Sequence, residues 1–332
     1  MTDKEIWNRG RLLDISASYW QTCALHAAVK LGIFTLLDGE TLSSGEVARR
    51  VQAEGRGMAM LLDALVAMGL LTKSGETYAG TAESRALLSR KSDHYLGHII
   101  LHHHHLMASW SRLPEAVLKG APVRSRTALA SGEVLESFLL GMVNIAAGLA
   151  PEIVKAVDLR GRRRLLDLGG GPGTYAIHFC QENPELAATV FDLPDTRPFA
   201  ESAVSRFGLS GRIGFAAGDY TRDPVPRGFD VCWLSQILHA EGPQTCQAIV
   251  EKAVSSLEPG GLILVHEFLL DNDMAGPLFP TLFSLNMLVG TELGQAYSEA
   301  QVMGMLSRAG VREVRRIAFR GPSDSGIIAG TV

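Results

Sequence analysis

Apolar and polar positions follow two different rhythms along this chain. In the first third they recur at helical spacing. Trp20, Leu25, Ala28, Val29 and Phe34 predict an amphipathic helix from Tyr19 to Leu37, punctuated by Gly32 and Gly39. Ser43 with Glu46 has the form of a capping box opening a short helix, and Met58 to Met68 carries Leu61, Leu62, Leu65 and Val66 on one face. The segment from Leu70 to Tyr78, turning at Ser74-Gly75, then reads as a two-stranded ribbon. Helix, turn, helix and ribbon is the winged-helix order. Val134 to Val157 is again helical, with Phe138, Met142 and Ile145 in one stripe, and Pro151 predicts two consecutive helices there rather than one.

Past Leu165 the rhythm changes to short apolar runs separated by helical segments. Strands are predicted at 165–168, 187–191, 213–216, 229–234 and 262–267, with helices at 194–206 and 243–257 between them. Such alternation predicts an α/β fold with a doubly wound, mostly parallel sheet, behind an N-terminal, mainly helical winged-helix domain. The last strands, 311–320 and 327–332, read as a terminal hairpin. The loop-like stretch 120–126 divides the chain into residues 1–120 and 121–332.

At 332 residues there is material for two real cores. The net charge of −4 favours neither nucleic acid nor an anionic membrane as partner. Arg56 is the only basic residue between Val51 and Leu71, which is poor equipment for a DNA-reading helix. The four cysteines (Cys23, Cys180, Cys232 and Cys246) form no C-x-x-C pair and read as reduced thiols. The N-terminus lacks a signal-like apolar core, and no window reads as a membrane span, so a cytoplasmic location is expected.

Chemistry gathers where the predicted strands end. After Leu165-Leu-Asp167-Leu, the run Gly169-Gly170-Gly171-Pro-Gly173 turns a strand into a helix, offering bare backbone to a ligand near a helix N-terminus. Thr174 stands where a dinucleotide fingerprint needs its third glycine, which weighs against a nicotinamide oxidoreductase. Asp192, about twenty residues on, suits a ribose or caps the following helix. Gly218-Asp219-Tyr220 suits an adenine, the carboxylate accepting from its amino group and the aromatic ring covering it. The histidine-rich stretch 94–105 would put His94, His98, His102 and His105 on one helical face. That face could hold a metal, or border a pocket or subunit interface, with His102 to His105 and Trp110 offered to a substrate. Without a joining cysteine or further acid, no metal is assigned.

Together, Leu166-Asp-Leu-Gly-Gly-Gly-Pro-Gly173, Phe191-Asp-Leu-Pro194, Ala217-Gly-Asp219, Ile237-Leu-His239 and Glu258-Pro-Gly-Gly261 resemble one family over nearly the whole chain. It is the class I S-adenosylmethionine-dependent O-methyltransferases of small molecules, with plant phenolic, bacterial polyketide and acetylserotonin members. The resemblance implies a Rossmann-like catalytic domain and an N-terminal domain that forms a homodimer. It also implies a cofactor, S-adenosyl-L-methionine, held by Asp167, Gly169, Gly170, Gly171, Asp192, Leu193, Gly218, Asp219, Tyr220, Ser235 and Gln236. His239 matches the general base and Glu267 the carboxylate that orients it. Ser235 stands where many relatives have lysine. His239-Ala240-Glu241 replaces the common His-Asp-Trp, and a second bracketing glutamate aligns with Ala296. Either Glu267 holds the histidine alone or Glu241 or Glu292 substitutes. The expected acceptor is a mid-sized apolar or aromatic molecule with a hydroxyl. Its pocket is expected from Trp110, Phe138, Met142, Phe283, Asn286 and Met287, since apolar linings suit such ligands. No nucleic acid or membrane partner is expected. The alternatives are a diverged reaction on the same cofactor, including C- or N-methylation, or a winged-helix regulator.

Overall fold

The capping box read at Ser43 forms: its hydroxyl accepts the Glu46 N–H, and the Glu46 carboxylate accepts the Ser43 N–H at 2.8 Å. The computed structural model that shows this describes residues 7–125 and 132–332. Residues 1–6 and Arg126, at the end of the loop-like stretch, lie outside them. The described chain divides into two compact units, Met1–His105 and Leu106–Val332.

The first unit runs α1 (Arg9–Ala17), α2 (Tyr19–Lys30), α3 (Ile33–Leu36), β1 (Leu42–Ser43), α4 (Ser44–Arg50), α5 (Gly55–Ala67), β2 (Leu71–Ser74), β3 (Thr77–Gly80) and α6 (Ala82–Leu88). α7 (Gly97–Trp110) crosses into the second unit. The single helix expected over 19–37 is broken at Gly32, and Trp20, placed on its apolar face, is 65% exposed. α5 starts three residues before the expected Met58, because the Glu54 carboxylate accepts the N–H groups of Arg56 and Gly57 and caps it there. The ribbon gains a strand, for β1 pairs with β3 to give the antiparallel order β1-β3-β2. α4, α5 and this sheet enclose a core of Ile33, Phe34, Leu37, Val47, Leu62 and Leu65.

The second unit continues with α8 (Leu113–Lys119), α9 (Gly132–Ala156), β4 (Arg164–Leu168), α10 (Thr174–Glu182), β5 (Ala187–Asp192), α11 (Arg197–Arg206), β6 (Ile213–Ala217) and β7 (Phe229–Ser235). After these come α12 (Pro243–Ser255), β8 (Leu257–Leu270), α13 (Leu278–Gly290), β9 (Tyr297–Ser298), α14 (Glu299–Arg308), β10 (Arg312–Arg316) and β11 (Ser325–Thr331). The sheet order is β10-β11-β8-β7-β4-β5-β6, with β9 added beside the end of β8. β6, β5, β4, β7 and β8 are parallel, β11 pairs antiparallel with β8, and β10 pairs antiparallel with β11. Buried runs such as Leu165–Leu168 and Val231–Leu234 read as continuous apolar strands because helices cover both faces.

Two expectations fail at α9. It is one helix, with Pro151 inside it. Ala146, Leu149 and Ala150 before the proline and Ile153 and Val154 after it are buried in one core, so packing holds both halves on one axis. Also, α9 has the length and composition of a membrane span, with a mean hydropathy of 1.6 over 18 residues. Its buried residues belong to that core, and 44% of the window is buried.

Candidate active site

The glycine turn leaves β4 at the carboxyl edge of the parallel strands. Gly169 donates its N–H to Phe191 O at 2.8 Å and has φ +68°, and a Cβ there would stand 2.6 Å from Ile237 and 3.2 Å from Tyr220. Only hydrogen fits where these three segments meet. Gly171 N–H donates to Asp192 Oδ2 at 2.7 Å, while Asp192 Oδ1 accepts from Leu193 N–H at 2.7 Å and from the Thr196 hydroxyl at 3.2 Å. Asp192 therefore ties the loop to the end of β5 and keeps lone pairs to spare. Burial raises its pKa, against those hydrogen bonds. Beneath the loop, Asp167 is 1% exposed. Its Oδ2 accepts the Ala176 N–H at 3.3 Å, its Oδ1 is buried without a partner, and burial pushes the carboxyl up to about 7. Gly170 lies so close to this carboxyl that a Cβ would fall 2.5 Å from it.

At the next strand end Gly218 packs on the Phe191 ring, and Asp219 Oδ1 accepts the Thr221 N–H at 2.9 Å and its hydroxyl at 2.6 Å. Tyr220 is half-buried and Leu193 exposed. After β7, the Ser235 hydroxyl sits 2.8 Å from His266 Nδ1, and Gln236, at φ +59°, buries an unpartnered Oε1. So Gly169, Gly170, Gly171, Asp192, Asp219, Ser235 and Gln236 all fall along one edge, around an exposed-backbone cradle with unsatisfied acceptors. Those donors and acceptors fit a cationic, ribose-bearing ligand.

His239 follows in a 3₁₀ turn, Leu238–Ala240. Its Nδ1 lies 2.8 Å from Glu267 Oε2, and Glu267 Oε1 accepts the Leu238 N–H, also at 2.8 Å. Glu267, on β8, is 2% exposed. A carboxylate bonded through both oxygens is fixed in place, and it favours the imidazole tautomer with the proton on Nδ1 and the lone pair on Nε2. Phe283 meets the imidazole edge-on with centroids 4.8 Å apart, and Phe268 and Phe279 complete an aromatic wall at 4.8 to 4.9 Å spacings. A neutral imidazole beside an aromatic wall can take a proton from a hydroxyl laid along that wall.

Residues 120–312 match the model of an O-methyltransferase domain, and residues 13–90 that of the O-methyltransferase dimerisation domain. The chain belongs to the O-methyltransferase family. It is 34% identical over 325 residues to a 3-hydroxy-5-methyl-1-naphthoate 3-O-methyltransferase of Streptomyces sahachiroi, covering 96% of this chain and 94% of that one. It is 35% identical to the tetracenomycin polyketide synthesis 8-O-methyl transferase of Streptomyces glaucescens, over 96% of both. The crystal structure of human N-acetylserotonin methyltransferase in complex with S-adenosylmethionine superposes with a TM-score of 0.87 at 29% identity, over 100% and 99% of the two chains. The methyltransferase thus has the class I, Rossmann-like fold expected, and S-adenosylmethionine is its cofactor.

The remaining site candidates of the methyltransferase are placed less evenly. Trp110 Nε1 donates to Asn286 Oδ1 at 3.0 Å, joining two of them, and Met287 is buried on the same helix. Phe138 and Met142 sit half-buried on α9. His94 precedes α7, so the histidine face is reduced to His98, His102 and His105. In the first unit His104 instead meets His26 of α2 edge-on at 5.6 Å. Glu292 is exposed, and Ala296 is buried, with its N–H on the Ser284 hydroxyl at 3.0 Å. Sequence reasoning missed Phe268 and His266. Both flank Glu267 on β8, so the end of that strand was the signal.

Proposed function

We propose that this enzyme methylates a hydroxyl of a mid-sized aromatic acceptor, with His239 as general base and Glu267 fixing its tautomer. The observation that carries the reading is the pair of 2.8 Å bonds on Glu267, one to His239 Nδ1 and one to the Leu238 N–H, beside the Phe283 edge. Asp192 would hold the ribose of S-adenosylmethionine. Gly169 to Gly171 would line its methionyl part, Leu193, Asp219 and Tyr220 would bracket the base, and Asp167, Gly218, Ser235 and Gln236 would shape the cradle. When bound, that cofactor supplies an electrophilic sulfonium methyl. The protein's task is to hold the acceptor oxygen in line and to take its proton at His239 Nε2, and positioning alone can contribute several kcal/mol. Glu267 then stabilises the imidazolium. Trp110, Phe138, Met142, Phe283, Asn286 and Met287 would line the acceptor site. Pairing through residues 13–90 would make the enzyme a homodimer, and the sparse basic charge of α5 supports a partner set without nucleic acid.

His239→Ala should keep affinity for S-adenosylhomocysteine, measured by calorimetry, and lose roughly 100-fold or more in turnover. Turnover at the wild-type rate with a methylated acceptor would remove the general base from this reading.

A further inference from the structure

Among the described residues Arg124 is half-buried, with two of its guanidinium nitrogens enclosed and no acidic side chain in an ion pair with it. Arg124 is held in place by its backbone: the N–H groups of Val123 and Arg124 both donate to Val289 O at 3.2 Å, at the C-terminal end of α13. Its guanidinium lies against Gly290, where a Cβ would stand 2.2 Å from Nη2, 3.1 Å from Cζ and 3.3 Å from Nε. Any larger residue at 290 would push the guanidinium away. Nε and Nη1 are both buried and have no hydrogen-bond partner. Burial accordingly lowers the pKa of this arginine. Of the acidic side chains described, none forms an ion pair with it.

Placement gives this cation a purpose. Phe279, Phe283, Asn286 and Gly290 fall at i, i+4, i+7 and i+11 of α13, which is one face of a helix. Phe283 touches His239, and Gly290 touches Arg124. The two lie two turns apart, about 10 Å along the axis. A planar molecule laid along this face would present one end to the imidazole and the other to the guanidinium. A guanidinium is a planar fork that matches a carboxylate bidentately, and an enclosed N–H without an acceptor costs free energy until something completes it.

Resting on the methyl-transfer reading above, we infer that Arg124 is the specificity-determining residue for an acceptor that is an aromatic hydroxy acid, its carboxylate pairing with Arg124 while its hydroxyl faces His239. Gly290 is the residue that makes room for this pair.

The test compares hydroxynaphthoates with their uncharged carboxamides at pH 7.5, by calorimetric titration of the dimeric enzyme saturated with S-adenosylhomocysteine. The wild type should bind the acids at least tenfold more tightly than the amides. Arg124→Gln should erase that ratio. Gly290→Ala, which keeps the arginine but displaces its fork, should reduce it, with circular dichroism confirming that both variants fold. Equal binding of acid and amide by the wild type, no binding of any acid, or a ratio unchanged in both variants would overturn the inference. Because binding is read rather than turnover, a failure of the general-base reading shows separately, as full methylation by His239→Ala.

Discussion

Asp167 shows what the glycine turn costs the fold that carries it. The carboxyl lies under Gly170, and burial pushes it up to about 7 from an ordinary 3.8. Folding thus favours its protonated form. That contribution is fully present below pH 3.8 and is lost as pH rises through about 7. Asp167→Asn cannot titrate, so its stability relative to the wild type should grow by a few kcal/mol between pH 5 and pH 8, read by urea unfolding without cofactor. A constant difference would show that Asp167 does not titrate in that window. Among single residues, the His239–Glu267 contact was legible in the sequence because His239 follows the apolar run of β7 and Glu267 closes the apolar run 262–266 of the neighbouring β8. Arg124 was not legible. Its burial depends on Gly290 and Val289, far along the chain on a helix whose placement no local pattern encodes.

Most elements with a clear period were read correctly; of the two helix errors, one is a local break at a left-handed glycine and the other is packing that overrules local preference. The helix over 19–37 breaks at Gly32, whereas α9 runs through Pro151. Proline in a helix interior costs about 3 kcal/mol relative to alanine through its missing N–H and its ring. Because Pro151 is exposed while Ala150 and Ile153 are buried, replacing it disturbs no core contact. Pro151→Ala should therefore raise the denaturation midpoint by the equivalent of about 1–3 kcal/mol. A lowered midpoint would mean that the proline is needed at that bend. β8 also exceeded its expected span, running to Leu270, since its far end is paired by β9 and β11.

For the molecule as a whole, the expected helix–ribbon unit and parallel sheet both appear, and the dimerisation match covers residues 13–90. The large apolar side chains left exposed in the first unit cluster on α1 and α2: Leu12, Leu13, Ile15, Tyr19 and Trp20 are each more than half exposed. A face of that kind is covered by a partner in a stable dimer. Leu13→Glu with Trp20→Glu should convert the dimer to monomer in sedimentation velocity, and an unchanged dimer would place the contact elsewhere. The sheet order has another consequence, in the making of the protein. β8 carries Glu267, yet its neighbour β11 pairs with it only through residues such as Gly326, roughly sixty positions later. At translation rates of about 5–20 residues per second, the apolar strand Ile263-Leu264-Val265 emerges from the ribosome several seconds before its partner exists. During that interval it is an unpaired edge open to any other nascent chain. A chaperone that covers such edges should raise the soluble yield of this enzyme, and slower synthesis, which lengthens the interval, should lower it.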